Sequence, residues 1–251
     1  MSRVDIAAGG HGTRIREFMV EVGHEPDFPK HLLPTGGPED ETLLGRIVRQ
    51  SFDTPTVDDV IIHANSNNAG YFESHPDVDP RADVIAGNYG RSLDPFFDQL
   101  VTAVESVLGC AGDFYADFSW QDLLEWHDAH RFAVSFVVGH SAALDGGAIF
   151  DVAKNGKIES LKRAKPDQHE LINVGIYVID PTKVVIDAAA RHMQNASVTD
   201  ETIVSELIDL GVAGAYALEG TPYNVNTVAT YHALLDHTSS LPARATQRDI
   251  A

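Results

Sequence analysis

The sequence predicts a single three-layer α/β/α domain built around a mixed, mostly parallel sheet. Three observations carry that expectation. Short β-branched runs alternate with amphipathic segments, the pattern of βαβ units packed on a parallel sheet. The first run passes directly into a glycine-rich turn, Ala7-Ala8-Gly9-Gly10-His11-Gly12-Thr13-Arg14, placed where a strand hands over to a helix. No stretch rich in Gly, Pro or Ser divides the 251 residues, and a chain of that length buries roughly three quarters of its unfolded surface as one unit.

Taken in order, strands are expected at Val4–Ala7, Val60–Ala64, Val84–Ala86, Val107–Ala111, Ala133–Val138, Ala148–Val152 and Asn173–Ile179. Each is a short apolar run bounded by polar or turn residues. Helices fall between them. In 94–107, Phe96, Phe97, Leu100, Val101 and Val104 recur at helical spacing, with Asp94 as cap and Pro95 in the first turn. Ser119 followed by Asp122 resembles a capping box for a helix over 119–130, which also carries Trp120 and Trp126 as core or anchoring residues. Asp180-Pro181 opens another helix, and Thr199 opens one that stops at Gly211. Lys154-Asn155-Gly156-Lys157 reads as a hairpin turn. Residues 1–238 then form the domain, and 239–251 a polar tail expected to fray.

The charge balance narrows the partners. Eighteen Lys plus Arg against 37 Asp plus Glu give a formal net charge of −19. A field of that sign repels phosphate backbones and anionic lipid surfaces, which argues against nucleic-acid and membrane-surface partners. Small anionic substrates would be repelled as well, unless the binding site inverts the field locally. The lone cysteine, Cys110, cannot form an internal disulfide. The first residues lack the apolar core of a signal peptide, and no 18-residue apolar run spans the chain. A soluble, cytoplasmic protein is expected.

The glycine-rich turn carries the most chemistry. Gly9, Gly10 and Gly12 let the backbone approach a ligand closely and aim successive N–H groups at it, while Arg14 adds a planar donor suited to phosphate. The plain alternative is a tight strand-to-helix turn. A P-loop would need Lys-Ser/Thr after the last glycine, and a dinucleotide fingerprint would need a third glycine near Ile15; neither is present. Further on, Phe28-Pro29-Lys30-His31-Leu32-Leu33-Pro34 fixes the backbone before a single lysine. The Lys30 ammonium is a compact charge suited to a triphosphate or a leaving pyrophosphate.

Gly9-Gly10-His11-Gly12-Thr13-Arg14 followed by Pro29-Lys30 resembles the signature of the sugar-phosphate nucleotidylyltransferases, and the resemblance continues at intervals to about residue 235. It implies a Rossmann-like fold of the nucleotide-diphospho-sugar transferase type. It also implies a reaction: an NTP and a sugar 1-phosphate give an NDP-sugar and pyrophosphate by direct in-line attack, with Mg²⁺ as cofactor. By the same resemblance Ala8, Gly9, Gly10, His11, Gly12, Thr13 and Gly112 bind the nucleotide. Arg14 meets the leaving phosphates, Lys30 the triphosphate, and Asp113 holds Mg²⁺, for which a hard oxygen ligand is suitable. Gly112-Asp113 follows a predicted strand, and open α/β sheets bind ligands at such carboxyl ends. Gly147 lets the sugar approach, Lys165 meets its phosphate, and Asn173 bonds a sugar hydroxyl. Their plain readings are a turn glycine, a solvated lysine and a strand-end polar residue.

Two departures from the family pattern stand out. Ala164 replaces the Glu that usually precedes Lys165-Pro166, removing a sugar-recognising carboxylate. Asn224-Val225-Asn226-Thr227 stands where the family has Asp-x-Gly-Thr, so the second metal ligand, Asn224, offers a neutral oxygen; Tyr231 keeps its usual place. The loop around Gly87-Asn88-Tyr89-Gly90 also diverges, leaving the base open. A non-sugar acceptor such as a polyol, cyclitol or alkyl phosphate, and a nucleotide-binding regulatory protein with weakened catalysis, remain alternatives. His127-x-x-His130 on one helix face lacks a third ligand at zinc spacing and is expected to be solvated. With landmarks from residue 8 to 231, the catalytic domain is expected to occupy the chain, with no appended acyltransferase domain; homo-oligomerisation stays open.

Overall fold

The computed structural model describes residues 2–10, 12–37, 40–89, 93–140, 148–163, 170–195 and 198–241. Its strands are β1 (Ser2–Ala7), β2 (Val57–Asn65), β3 (Asp83–Gly87), β4 (Val107–Ala111), β5 (Phe114–Tyr115), β6 (Val134–His140), β7 (Ala148–Val152), β8 (Ile158–Arg163), β9 (Leu171–Ile179), β10 (Ala213–Ala217) and β11 (Tyr223–Asn224). The helices are α1 (Arg16–Glu21), α2 (Leu43–Phe52), α3 (Ala69–Ser74), α4 (Asp94–Leu100), α5 (Trp120–His130), α6 (Lys183–Met193), α7 (Asp200–Asp209) and α8 (Val228–Ser239).

The main sheet runs β10-β6-β9-β4-β1-β2-β3, with the β7–β8 hairpin joined to β9. Along that path only the two pairings made by β9 are antiparallel. Alternation along β1 decides the layers. Val4 and Ile6 face one side, where Leu44, Ile47 and Val48 of α2 and Trp120 and Leu123 of α5 cover them. On the other side Phe96, Phe97 and Leu100 of α4 pack with Val185 and Ala188 of α6 and Ile203 and Leu207 of α7. Three layers result, the expected architecture. A smaller cluster joins α1 and α8 through Ile15, Met19, Tyr231 and Leu234. Among the described residues no helix is long and apolar enough to cross a membrane.

All seven expected strands are present, and β5, β8, β10 and β11 are added to them. The Lys154–Lys157 turn joins β7 to β8, with Gly156 at φ +81°. Ser119 and Thr199 cap α5 and α7, each accepting a hydrogen bond from the N–H three residues on. One helix is shorter than expected. α4 ends at Leu100, and Asp94 is inside it and makes no side-chain cap. Val101 and Val104 are 67% and 93% exposed, so their helical spacing faces solvent and no apolar surface rewards extending the helix.

Strand order reverses at the centre of the sheet. From β1 the path steps one way to β2 and β3 and the other way to β4, so a crevice opens beyond the carboxyl ends of β1 and β4. Their register sets Ala7 opposite Ala111, and the Gly112 N–H donates to the Ala7 carbonyl at 2.9 Å. The glycine-rich turn and Gly112-Asp113 are thereby neighbours.

Candidate active site

A cavity of about 270 Å³ fills that crevice, lined by Ala7, Gly10, Gly12, Thr13, Arg14, Lys30, His31, Ala111, Asp113 and Asn226. The loop that forms its floor is set by sheet and turn bonds. The Ala8 N–H donates to the His63 carbonyl at 2.9 Å, so it serves β2 and is not aimed into the cavity. The Gly9 carbonyl accepts from Asn65 Nδ2 at 3.0 Å. Gly12 takes φ +57°, and the Lys30 stem lies over it, with Cγ 3.6 Å from where a Cβ would stand. Arg14 is exposed at the cavity wall, free of any hydrogen-bond or ion-pair partner among the described residues.

Lys30 opens a single 3₁₀ turn, Lys30–Leu32, held in place by Pro29. Its ammonium is buried and donates to Asp113 Oδ2 at 2.5 Å and to Asn226 Oδ1 at 2.6 Å. Burial alone would raise the Asp113 carboxyl; the Lys30 charge and hydrogen bond, with His31, more than offset this and hold it below the usual carboxylate range. Beside the pair, His31 is 1% exposed and its Nδ1 has no partner among the described residues. Burial drives its pKa down to about 4, the Lys30 charge adding to the shift and Asp113 opposing it, so the ring is neutral at pH 7.

A two-residue ladder delivers the last wall. β11 pairs antiparallel with β5, Tyr223 opposite Tyr115 and Asn224 opposite Phe114, and the Val225 N–H donates to the Asp113 carbonyl at 2.8 Å. The chain then bends, and Asn226 Nδ2 donates to Asn224 Oδ1 while its own oxygen accepts from Lys30. Thr227 caps α8 in a reciprocal box with Thr230, and Tyr231 Oη donates to the Pro34 carbonyl at 3.0 Å, tying α8 to the Lys30 segment.

Apart from Ala8, whose N–H serves β2, the predicted residues therefore separate into four groups. Gly10, Gly12, Thr13, Arg14, Lys30 and Asp113 line one cavity, with Gly9 and Gly112 behind them. Asn224 reaches the site through Asn226. Asn173 is directed elsewhere: its Oδ1 accepts from the Gly175 N–H and its Nδ2 donates to Tyr177 Oη, bonds within β9. His11, Gly147 and Lys165 lie outside the described residues. Sequence reasoning misses Asn226 and His31 as site residues, although both sit inside motifs the sequence displays. His127 is corrected: it is 2% exposed and bonds Ser135 Oγ and Asp180 Oδ1, a core network between α5 and β6, while His130 alone is solvated.

The oxygen set near Lys30 is one carboxylate, Asp113, and two amide oxygens, Asn224 and Asn226. Hard oxygen donors of this kind match Mg²⁺, which commonly takes one or two carboxylates and completes its shell with phosphates and water. Among the described residues no group of three or more His, Cys, Asp or Glu side chains could hold a metal ion.

No protein-family model matches the chain, and no curated protein matches it. Solved structures do. One, from Bacillus anthracis, is described as a putative glucose-1-phosphate thymidylyltransferase in complex with sucrose; it is 14% identical, with 99% of each chain covered and a TM-score of 0.76. A second is HddC from Yersinia pseudotuberculosis, 16% identical, covering 94% of this chain and 99% of its own, with a TM-score of 0.67. At such identities the likeness is one of fold, and it extends over nearly the whole length of this chain: the sheet and its helices belong to the architecture those two proteins share.

Proposed function

We propose that this protein transfers a nucleotidyl group from an NTP to a sugar 1-phosphate, releasing pyrophosphate, with Mg²⁺ as cofactor. One observation carries the reading. A glycine loop, an arginine with no partner among the described residues and a lysine–aspartate pair converge in one cavity, where strand order reverses in a sheet whose fold is shared with a protein described as a putative glucose-1-phosphate thymidylyltransferase. In a chain of −19, this is a place where cationic groups are concentrated for anionic substrates.

The chemistry needs no protein nucleophile. An oxygen of the acceptor phosphate attacks the α-phosphorus, the bond from that phosphorus to the bridging β-oxygen breaks, and its electrons leave with pyrophosphate. The protein contributes position and charge. N–H groups at Gly10 and Gly12 cradle phosphate oxygens, Arg14 neutralises the leaving phosphates, and Lys30 follows the charge that develops between them. Asp113, with the Asn224 and Asn226 oxygens, would hold Mg²⁺, which supplies Lewis-acid polarisation at the α-phosphate when bound. Gly147 and Lys165 are proposed for the acceptor phosphate.

A second acceptor class is favoured by one feature. The Asn173 amide bonds within β9, and Ala164 stands where the resembled family carries Glu, so a sugar-reading carboxylate is missing. A polyol, cyclitol or alkyl phosphate fits that loss. The test is a pyrophosphate-release screen of the four NTPs and TTP against sugar 1-phosphates and these alternatives. Turnover with any pair supports nucleotidyl transfer and names the acceptor. Nucleotide-induced stabilisation without turnover would instead identify a binding protein.

A further inference from the structure

The last residue of β2 reaches past the end of its strand into the glycine-rich loop. The β1–β2 ladder closes with Ala7 opposite His63, and two bonds continue it one step further. The Ala8 N–H donates to the His63 carbonyl at 2.9 Å, and Asn65 Nδ2 donates to the Gly9 carbonyl at 3.0 Å. The first needs only backbone. The second depends on one side chain, which is buried at 8% exposed. Its amide is also oriented from the far side. Asn65 Oδ1 accepts from the N–H groups of Asn67 and Asn68, each at 3.0 Å, where the chain turns into α3. Two N–H donors require an oxygen at that position, so the NH₂ end of the amide faces Gly9.

The consequence passes through one planar peptide. A trans peptide points its carbonyl and the following N–H in opposite directions, and the described residues contain no cis bond. With the Gly9 carbonyl drawn toward β2, the Gly10 N–H is aimed away from it, to the side of β1 on which β4 and Asp113 lie. Gly10 lines the cavity there, and its N–H has no partner among the described residues. Glycines on both sides leave this peptide free to rotate at little steric cost, so its direction has to be imposed from outside the loop.

We propose that Asn65 is a positioning residue for anion binding: by anchoring the Gly9 carbonyl it holds the Gly10 N–H in the cavity as a ready-made donor to a phosphate oxygen at the pyrophosphoryl end of the nucleotide. The inference rests on the nucleotide reading above. Asn65 touches no substrate, and its whole effect runs through the Gly10 N–H. A donor aimed before the anion arrives costs no reorganisation when it binds.

Inorganic pyrophosphate is the probe, with Kd measured calorimetrically in the presence of Mg²⁺ and thermal melts recorded alongside. Asn65→Ser keeps an oxygen for the turn, adds no charge and is too short to reach Gly9. It should stay folded and bind pyrophosphate roughly tenfold or more weakly, the scale of one hydrogen bond to a charged group. In protein labelled with ¹⁵N-glycine, saturating pyrophosphate should move the Gly10 amide resonance, identified by its loss in Gly10→Ala, downfield in wild type and not in Asn65→Ser. A merely structural Asn65 would lower the melting temperature alone. Wild-type affinity in Asn65→Ser overturns the proposal, as does a weakened variant whose Gly10 resonance still moves as in wild type. If Asn65→Ser does not fold, Asn65→Asp, which keeps both turn bonds and sets an oxygen against the Gly9 carbonyl, decides on the same resonance. Failure of wild type to bind pyrophosphate overturns this inference; if nucleoside triphosphates fail to bind as well, the nucleotide reading falls with it.

Discussion

Lys30→Met removes one charge from a buried pair while keeping the stem that lies over Gly12. The Lys30 side chain is 7% exposed and Asp113 16%, and the ammonium also satisfies Asn226. Breaking such a pair leaves an uncompensated carboxylate and costs about 3–5 kcal/mol; the partial exposure of Asp113 points to the lower end, about 3 kcal/mol. For a chain of this size that is a fall of roughly 6–12 °C in Tm. The pH dependence gives the decisive signature. In wild type the Asp113 pKa is depressed, so its contribution is present above the ordinary carboxylate range and lost as pH falls through the folded value. In Lys30→Met burial, the largest influence on the group, is opposed only by His31 and a backbone hydrogen bond, so that pKa rises, and acid neutralises the orphaned group and restores stability. Thermal melts at pH 7.5 and 4.5 should show the gap between the two proteins narrowing on acidification. The double substitution Lys30→Met/Asp113→Asn should recover most of the loss at pH 7.5. A gap that is absent at pH 7.5, or equally wide at both values, would refute the assignment of Lys30 and Asp113 as a buried pair.

Other measurements bear on neighbouring groups. His31 has a folded pKa of about 4, below its unfolded value, so its contribution is present above pH 6.5 and is lost as pH falls from 6.5 to 4, about 3 kcal/mol in all; urea denaturation of His31→Gln across that window should show a correspondingly smaller decline. Arg14→Ala should leave stability within about 0.5 kcal/mol, because the side chain is exposed and unpartnered among the described residues, yet abolish most pyrophosphate release. Asn224→Asp adds a charge to the oxygen set, and Mn²⁺ titration followed by electron paramagnetic resonance should show tighter binding than wild type, with no change in affinity counting against the ligand assignment. Gly12→Ala should cost about 1–2 kcal/mol, since φ is +57° there, and should displace the Lys30 stem; a melt within error of wild type would contradict it.

Strands are the most legible part of the fold because a β-branched run announces itself locally, as at Val60-Ile61-Ile62 in β2. Helices whose reasons are tertiary are not. Leu43–Phe52 has an apolar face, but Gly45 interrupts it; a Cβ there would meet Asp77 at 2.8 Å, so the glycine serves a contact no local pattern displays. The short strands β5 and β11 have two residues each, too few for any period to register, and they exist through their mutual pairing. At the site, residue types and spacing identify the glycine loop, Lys30 and Asp113, since their roles depend on backbone placement near strand ends. Which asparagine meets Lys30 depends on the bend after β11: Asn226 makes the contact, and Asn224, singled out in the sequence only as a metal ligand by resemblance, accepts from Asn226. His127 reads as solvated because its helix carries charge; its burial comes from β6, Ser135 and Asp180, beyond the helix itself.

The two-residue ladder between β5 and β11 has a consequence for how the protein comes into being. Lys30 and Asn226 are separated by 196 positions, and the C-terminal segment reaches the cavity through that ladder and the Val225–Asp113 bond. During synthesis the glycine loop, Lys30 and Asp113 emerge long before their closing wall, and long-range contacts form late because loop-closure entropy opposes them. A ribosome-bound chain can therefore hold most of its sheet and still lack a finished cavity, so that cavity is completed near the end of folding, as a mark of maturity.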